Sequence, residues 1–385
     1  MLRYLTAGES HGPELTVIVE GMPSRVPIQK EKIDEQLRRR QQGYGRGRRM
    51  QIETDTVEVT SGIRFGETLG SPITMRVVNR DFKNWTEKMS VWGNHPENLK
   101  EVTRPRPGHA DLAGGLKYDH EDLRNILERA SARNTTTVVA AGALVRQLLE
   151  LFKIEITAHV VEIGGVVAKP DTLDFQQLID AADRSPVRTA DQVAEAKMIA
   201  KIDEAKERGD TVGGIFEIIV RGCPPGLGSH VHNDRKLDAQ LAGALMGIQA
   251  IKGVEIGLGF EAARRFGSQV HDAIVYQAPR YLRPSNGAGG IEGGMTTGQD
   301  IVIRVAMKPI STLYKPLASV DMKTKEVELA AVERSDHCAV PAASVVGENV
   351  AAFVIADAFL RKFSGDSLRE IQAQVAAYQS MVEKR

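Results

Sequence analysis

The 385-residue chain contains only two cysteines, Cys223 and Cys338, and no C-x-x-C spacing. Neither a disulfide framework nor a metal site is expected, and a reducing compartment suits two free thiols. Charge of one sign is lacking too, because Lys plus Arg and Asp plus Glu each number 50. A net charge of zero sets up no field that would draw the chain onto nucleic acid or an anionic membrane, so neither is expected as a partner. No run of about 18 apolar residues occurs. The opening MLRYLTAGESHG lacks a basic segment followed by a long apolar one, so the expected location is cytoplasmic.

What is present begins with Arg104–Thr137, RPRPGHADLAGGLKYDHEDLRNILERASARNTTT. Pro105, Pro107 and Gly108 set a turn beside His109 and Asp111, and the segment runs on to Arg129, Ser131 and Arg133. A titratable pair therefore lies near anion-binding groups, although the same pattern also suits a capped loop followed by a solvated helix face. GESHG at 8–12 opens a strand in which Leu15, Val17 and Val19 alternate with Thr16, Ile18 and Glu20. A serine nucleophile rarely finds its base next door in sequence, so Ser10–His11 does not indicate a hydrolase.

Residues 29–41 predict a helix, with acids early and Arg38, Arg39 and Arg40 late. It runs into QQGYGRGRRM, where Arg46, Arg48 and Arg49 sit among glycines. This is either a nucleic-acid arm or a loop closing on an anionic small molecule, and zero net charge with Tyr44 as the one aromatic favours the second. Such a loop should be exposed and mobile until filled, as should the irregular polar stretch 80–103. Antiparallel strands are expected within 51–78, a buried helix over 135–152 and a strand over 154–165, whose His159 reads as structural. Residues 171–210 read as a charged helical excursion without a role in the site. A strand–turn–helix–strand series over 213–260 echoes the first half weakly. SNGAGGIEGGMTTGQ then offers backbone N–H groups to a phosphate or a flat ring. A strand over 299–309 and a C-terminal helix pair complete the chain.

GESHG, RRRQQGYGR at 38–46, RPGHAD at 106–111, RASAR at 129–133, GVEIG at 253–257, AGGIEGG at 288–294, MKPIST at 307–312 and RSDHCAVP at 334–341 follow in order along nearly the whole chain. Together they resemble the chorismate synthases. The resemblance implies one domain over 1–385 with an α+β fold, a helical layer between antiparallel sheets with an internal pseudo-repeat. It implies a homotetramer, the substrate 5-enolpyruvylshikimate 3-phosphate and a requirement for reduced FMN without net redox change. No added reductase domain stands out, so NADPH is expected to act indirectly, through a separate flavin reductase.

Carried over residue by residue, the resemblance implies that His11 protonates the leaving phosphate and His109 the flavin, while Asp336 relays a proton with Ser10. Arg40 and Arg46 match positions for a phosphate-bearing ligand, either substrate or NADPH. FMN is expected at Arg129, Ala130 and Ser131; at Gln249 and Ala250; at Gly294; at Lys308, Pro309, Ile310, Ser311 and Thr312; and at Arg334. The chain departs from the commonest family pattern at Ala130 and Asn134, where serine and glutamate are frequent.

Overall fold

The computed structural model describes residues 1–47, 54–93, 98–169, 173–333 and 335–385. The alternating run Glu14–Glu20 is a strand whose Leu15, Val17 and Val19 are buried. It lies in a four-stranded antiparallel sheet in the order Arg3–Ala7, Glu14–Glu20, Ile73–Val78, Glu58–Ser61. A five-stranded antiparallel sheet runs Ile251–Ile256, Ile301–Met307, Gly214–Arg221, Glu155–Ile163, Val166–Val167. The chain is thus mixed α+β.

Helix α1 spans Lys30–Gln41, with Glu31 in its first turn and Arg38, Arg39 and Arg40 in its last, the arrangement a helix dipole favours. Then follow α2 (Asp111–Tyr118), α3 (Arg124–Ala130), α4 (Thr135–Glu150), α5 (Phe175–Arg184), α6 (Gln192–Glu207), α7 (Leu237–Met246), α8 (Val340–Lys362) and α9 (Leu368–Glu383). Helix α4 packs on the first sheet, α8 on the second, and the two helices on each other. They approach so closely at Gly142 that a Cβ there would stand 2.3 Å from the Asn349 carbonyl oxygen. By length and composition alone α8 could cross a membrane, but most of it is buried inside the fold.

One acid stands in this apolar helix. Glu348 is fully buried and accepts from Arg39 of α1 at 2.7 and 3.1 Å, Arg146 of α4 at 3.0 Å, Arg188 at 3.1 Å and the Ala158 backbone N–H at 2.8 Å. Burial pushes its carboxyl up, but the three guanidinium groups outweigh burial and hold it at about 2. The cluster ties α1 to α8 one residue before Arg40.

Candidate active site

Two histidines are each held through Nδ1 by a buried carboxylate, His11 by one distant in sequence and His109 by one two residues away. His11 follows the first strand; its Nδ1 lies 2.8 Å from Glu128 Oε1, and its backbone N–H donates to Glu128 Oε2 at 2.7 Å. Glu128 sits at the end of α3, one turn after Arg124, whose guanidinium donates to it at 3.2 Å and to Glu333 at 3.1 Å. Burial raises the Glu128 carboxyl, yet the hydrogen bonds from His11 and the nearby Arg124 bring it below its ordinary value. Ser10 is buried, bonds through its N–H to the Glu128 carbonyl at 3.1 Å, and accepts from the Ser131 hydroxyl at 3.1 Å. The chain breaks out of helix at Ser131, and Ala130 closes α3 just before it. In consequence the neighbouring arginines diverge: Arg129 donates to Thr6, Gly8 and Asn134, and Arg133 to Asp55.

The second histidine is in the turn before α2. His109 Nδ1 lies 2.5 Å from Asp111 Oδ1, and Arg106 binds both Asp111 oxygens, at 2.8 and 3.1 Å. An Arg106 nitrogen also stands 3.0 Å from His109 Nδ1. A guanidinium can only donate, so Nδ1 that gives its hydrogen to Asp111 has nothing to accept with, and the arginine is a neighbouring charge there. Asp111 is fully buried; burial would raise its carboxyl, but His109 and Arg106 hold it well below the carboxylate range. Arg106 also donates to Thr312 at 2.8 Å, while Lys308 Nζ donates to the Gly108 carbonyl at 2.7 Å. Gly108 has φ +80°, and a Cβ there would lie 3.1 Å from Lys308 Nζ and 3.5 Å from Ser311. The same segment continues through Pro309, whose N would lie 2.9 Å from a Cβ at Gly213, and Ile310, whose carbonyl accepts from Thr211 at 2.7 Å. The Lys308 N–H donates to the Ala250 carbonyl at 2.9 Å, which brings Gln249–Ala250 to the same place.

Arg40 is buried, donating to Thr135 at 3.0 Å and lying 3.8 Å from Asp55, which also accepts from Arg133 at 2.9 Å. The loop that follows departs from the expectation of an exposed segment over its described part, 43–47, which is partly buried. Tyr44 donates to Asp203 of α6 at 2.9 Å, Gly45 accepts from the His337 N–H at 2.9 Å, and a Cβ at Gly45 would come 2.8 Å from Ile202. Arg46 donates to Asp336 at 2.6 Å, and the Gly47 N–H donates to the same carboxylate at 2.7 Å. Helix α6, within the charged excursion, therefore braces the arginine loop, a role its composition does not reveal. Arg48, Arg49 and Arg334 lie outside the described residues. The stretch 80–103 is also ordered into a 3-10 turn, Arg80–Asn84, at its start.

Gly294 stands apart in its neighbours: a Cβ there would meet Lys236 and the Ser229 carbonyl. Part of the glycine-rich loop has its N–H groups taken within the fold. Asp272 takes the Gly287 and Ala288 N–H groups at 2.8 and 2.9 Å, and Asn286 takes that of Gly290 at 2.7 Å. A cleft of about 470 Å³ beside it is lined by residues including Ile256, Val270, His271 and Ala288, and by neither site histidine. His159 is buried in its strand against Glu217, a structural position. Sequence reasoning missed Glu128, Arg106, Asp203 and also Trp85, whose ring stacks on His11. Glu128 reads locally as a helix-face acid, although its spacing of four from Arg124 was a usable signal.

The arrangement offers two proton-carrying imidazoles of fixed orientation among arginine, lysine and hydroxyl donors, a setting suited to a multiply anionic ligand. A family model described as chorismate synthase matches residues 2–360. The chorismate synthase of Pelobacter propionicus is 60% identical, with 98% of each chain covered, and that of Geobacter metallireducens 58% identical with the same coverage. A crystal structure of chorismate synthase superposes with a TM-score of 0.80 at 43% identity, covering 100% of this chain and 99% of that one. The chain belongs to the chorismate synthase family, whose members are lyases.

Proposed function

We propose that the chain catalyses the anti-1,4-elimination of phosphate from 5-enolpyruvylshikimate 3-phosphate, giving chorismate in the shikimate pathway with reduced FMN bound. The observation that carries this reading is the pair of histidines held by buried carboxylates beside a dense set of anion-binding donors. The reaction removes hydrogen from an unactivated carbon, whose acidity is too low for a carboxylate or imidazole base alone. Reduced FMN, when bound, supplies electron density that helps the allylic phosphate leave.

The donor set fits such a cofactor. Lys308, Ser311 and Thr312 stand against the His109 loop, and Ser131 stands against Ser10. These, with Arg129, Ala130, Gln249, Ala250, Pro309, Ile310, Gly294 and Arg334, are the residues we assign to it. Glu128 and Asp111 each hold Nδ1 of their histidine and so fix how the ring is turned. His11 gives its proton to the departing phosphate. His109 holds a proton for the cofactor, and Asp336 with Ser10 accepts the one returned. Because Asp336 is paired with Arg46 and Gly47, its relay role requires that pairing to loosen. An anionic substrate competing for Arg46 does that, and Arg40 is assigned to the same phosphate-bearing ligand, either substrate or NADPH.

The same reading includes a single domain over 1–385, a cytoplasmic homotetramer, and NADPH acting through a separate flavin reductase. It also includes the sandwich with an internal pseudo-repeat, supported by α4 on one sheet, α8 on the other and the two helices on each other. The test is anaerobic incubation of the purified protein with the substrate and chemically reduced FMN, following chorismate absorbance. No product under those conditions sinks the proposal.

A further inference from the structure

Trp85 lies in the polar stretch after the Ile73–Val78 strand, and its ring stacks on His11 with centroids 3.8 Å apart and planes 28° from parallel. This contact is built rather than incidental. Asn79 is buried; its side chain donates to the Gly12 carbonyl at 2.8 Å and its N–H to that of Pro13 at 2.8 Å. The same side chain accepts the Asp81 N–H at 3.1 Å and so caps the 3-10 turn Arg80–Asn84. At the end of that turn Trp85 donates from its backbone to Phe82 at 2.8 Å and from its indole N–H to Asp81 at 3.1 Å. One residue thus ties the loop that carries the indole to the loop that carries the imidazole. The ring of contacts closes through Arg124, whose guanidinium lies 5.2 Å from the Trp85 centroid and donates to Glu128, the carboxylate on His11 Nδ1.

We propose that Trp85 is a positioning residue for His11: the indole covers one face of the imidazole while Glu128 holds Nδ1, and the two contacts together fix the plane of the ring. The part that concerns turnover rests on the lyase reading above. Trp85→Ala is expected to lower kcat by about ten- to a hundredfold, the scale of a misplaced reacting group, with substrate KM and FMN affinity within about twofold. Trp85→Phe, which keeps a flat ring, should recover most of that loss. In a His11→Ala background the Trp85→Ala change should cost less than about twofold more, because its route of action is gone. Equal costs in both backgrounds, or an unchanged kcat in Trp85→Ala, overturn the proposal.

A second arm needs no substrate. Trp92 is highly exposed, and Trp92→Phe leaves Trp85 as the sole tryptophan. An indole covered by a stacked ring is hard for a small quencher to reach, so acrylamide should quench Trp85 emission weakly, and at least about twofold more strongly once His11→Ala removes the stacked ring. Strong quenching with His11 present, or quenching unchanged by His11→Ala, overturns the proposal. If the lyase reading alone were wrong, the difference in quenching would remain while turnover of this substrate was absent.

Discussion

Replacing Glu348 by Gln removes the negative charge at the meeting point of α1, α4 and α8 and leaves its size unchanged. Arg39 and Arg188 retain Asp183, at 2.9 and 2.6 Å, but Arg146 loses the carboxylate that stood 3.0 Å away. The fully buried carboxyl is held at about 2 against an ordinary value of 4.5. That shift corresponds to about 3 kcal/mol of stability in favour of the ionised form. Removing one partner of a buried pair costs a similar amount, about 3–5 kcal/mol. Because the folded value is depressed, the contribution is complete above the unfolded value and disappears as pH falls toward the folded one. About 2 kcal/mol of it is gone by pH 3. Urea unfolding of the wild type and Glu348→Gln should therefore differ by about 3 kcal/mol at pH 7, with the gap narrowing steadily below pH 5. A gap under about 0.5 kcal/mol at pH 7, well inside the range of an ordinary surface change, would refute the reasoning. So would a gap that stays constant down to pH 3.

His109→Ala should keep FMN affinity and lose about a hundredfold or more in turnover, as steady-state kinetics beside a flavin titration will show; near-normal turnover at every pH removes His109 from the mechanism. Arg46→Ala should weaken substrate binding, read by calorimetry, while the melting temperature of the unliganded protein changes little, because the Gly47 N–H still holds the Asp336 carboxylate that the arginine leaves; early melting with unchanged affinity would make that arginine structural. Asp203→Asn should raise substrate KM through a loosened Tyr44 and leave FMN affinity alone, whereas unchanged KM would mean that α6 does not brace the ligand loop.

The elements with a one-sided apolar face could be read from sequence. The alternation in Glu14–Glu20 buries Leu15, Val17 and Val19 as expected, and α1 buries Ile33 and Leu37, one turn apart on a single face. Helix α8 gives a weaker signal because it is enclosed on nearly every side, so no polar face marks its register. At the site, His11, His109 and Asp111 were visible because their chemistry is local to short motifs. The partners that hold them were less so. Glu128 and Trp85 reach His11 from 117 and 74 residues away, separations at which a local pattern carries no information. In the glycine-rich run composition did not reveal, for the same reason, that Asp272, 15 residues before Gly287, takes the Gly287 and Ala288 N–H groups.

The central claim is a redox-neutral elimination that uses reduced FMN without consuming it. The most direct measurement is stoichiometry: under anaerobic conditions, chorismate, inorganic phosphate and remaining reduced FMN are quantified in one reaction with substrate in large excess over flavin. The account expects one phosphate per chorismate over many turnovers, with the reduced FMN undiminished. Loss of one reduced FMN for each product formed, with the reaction stopping when the flavin is spent, would contradict it.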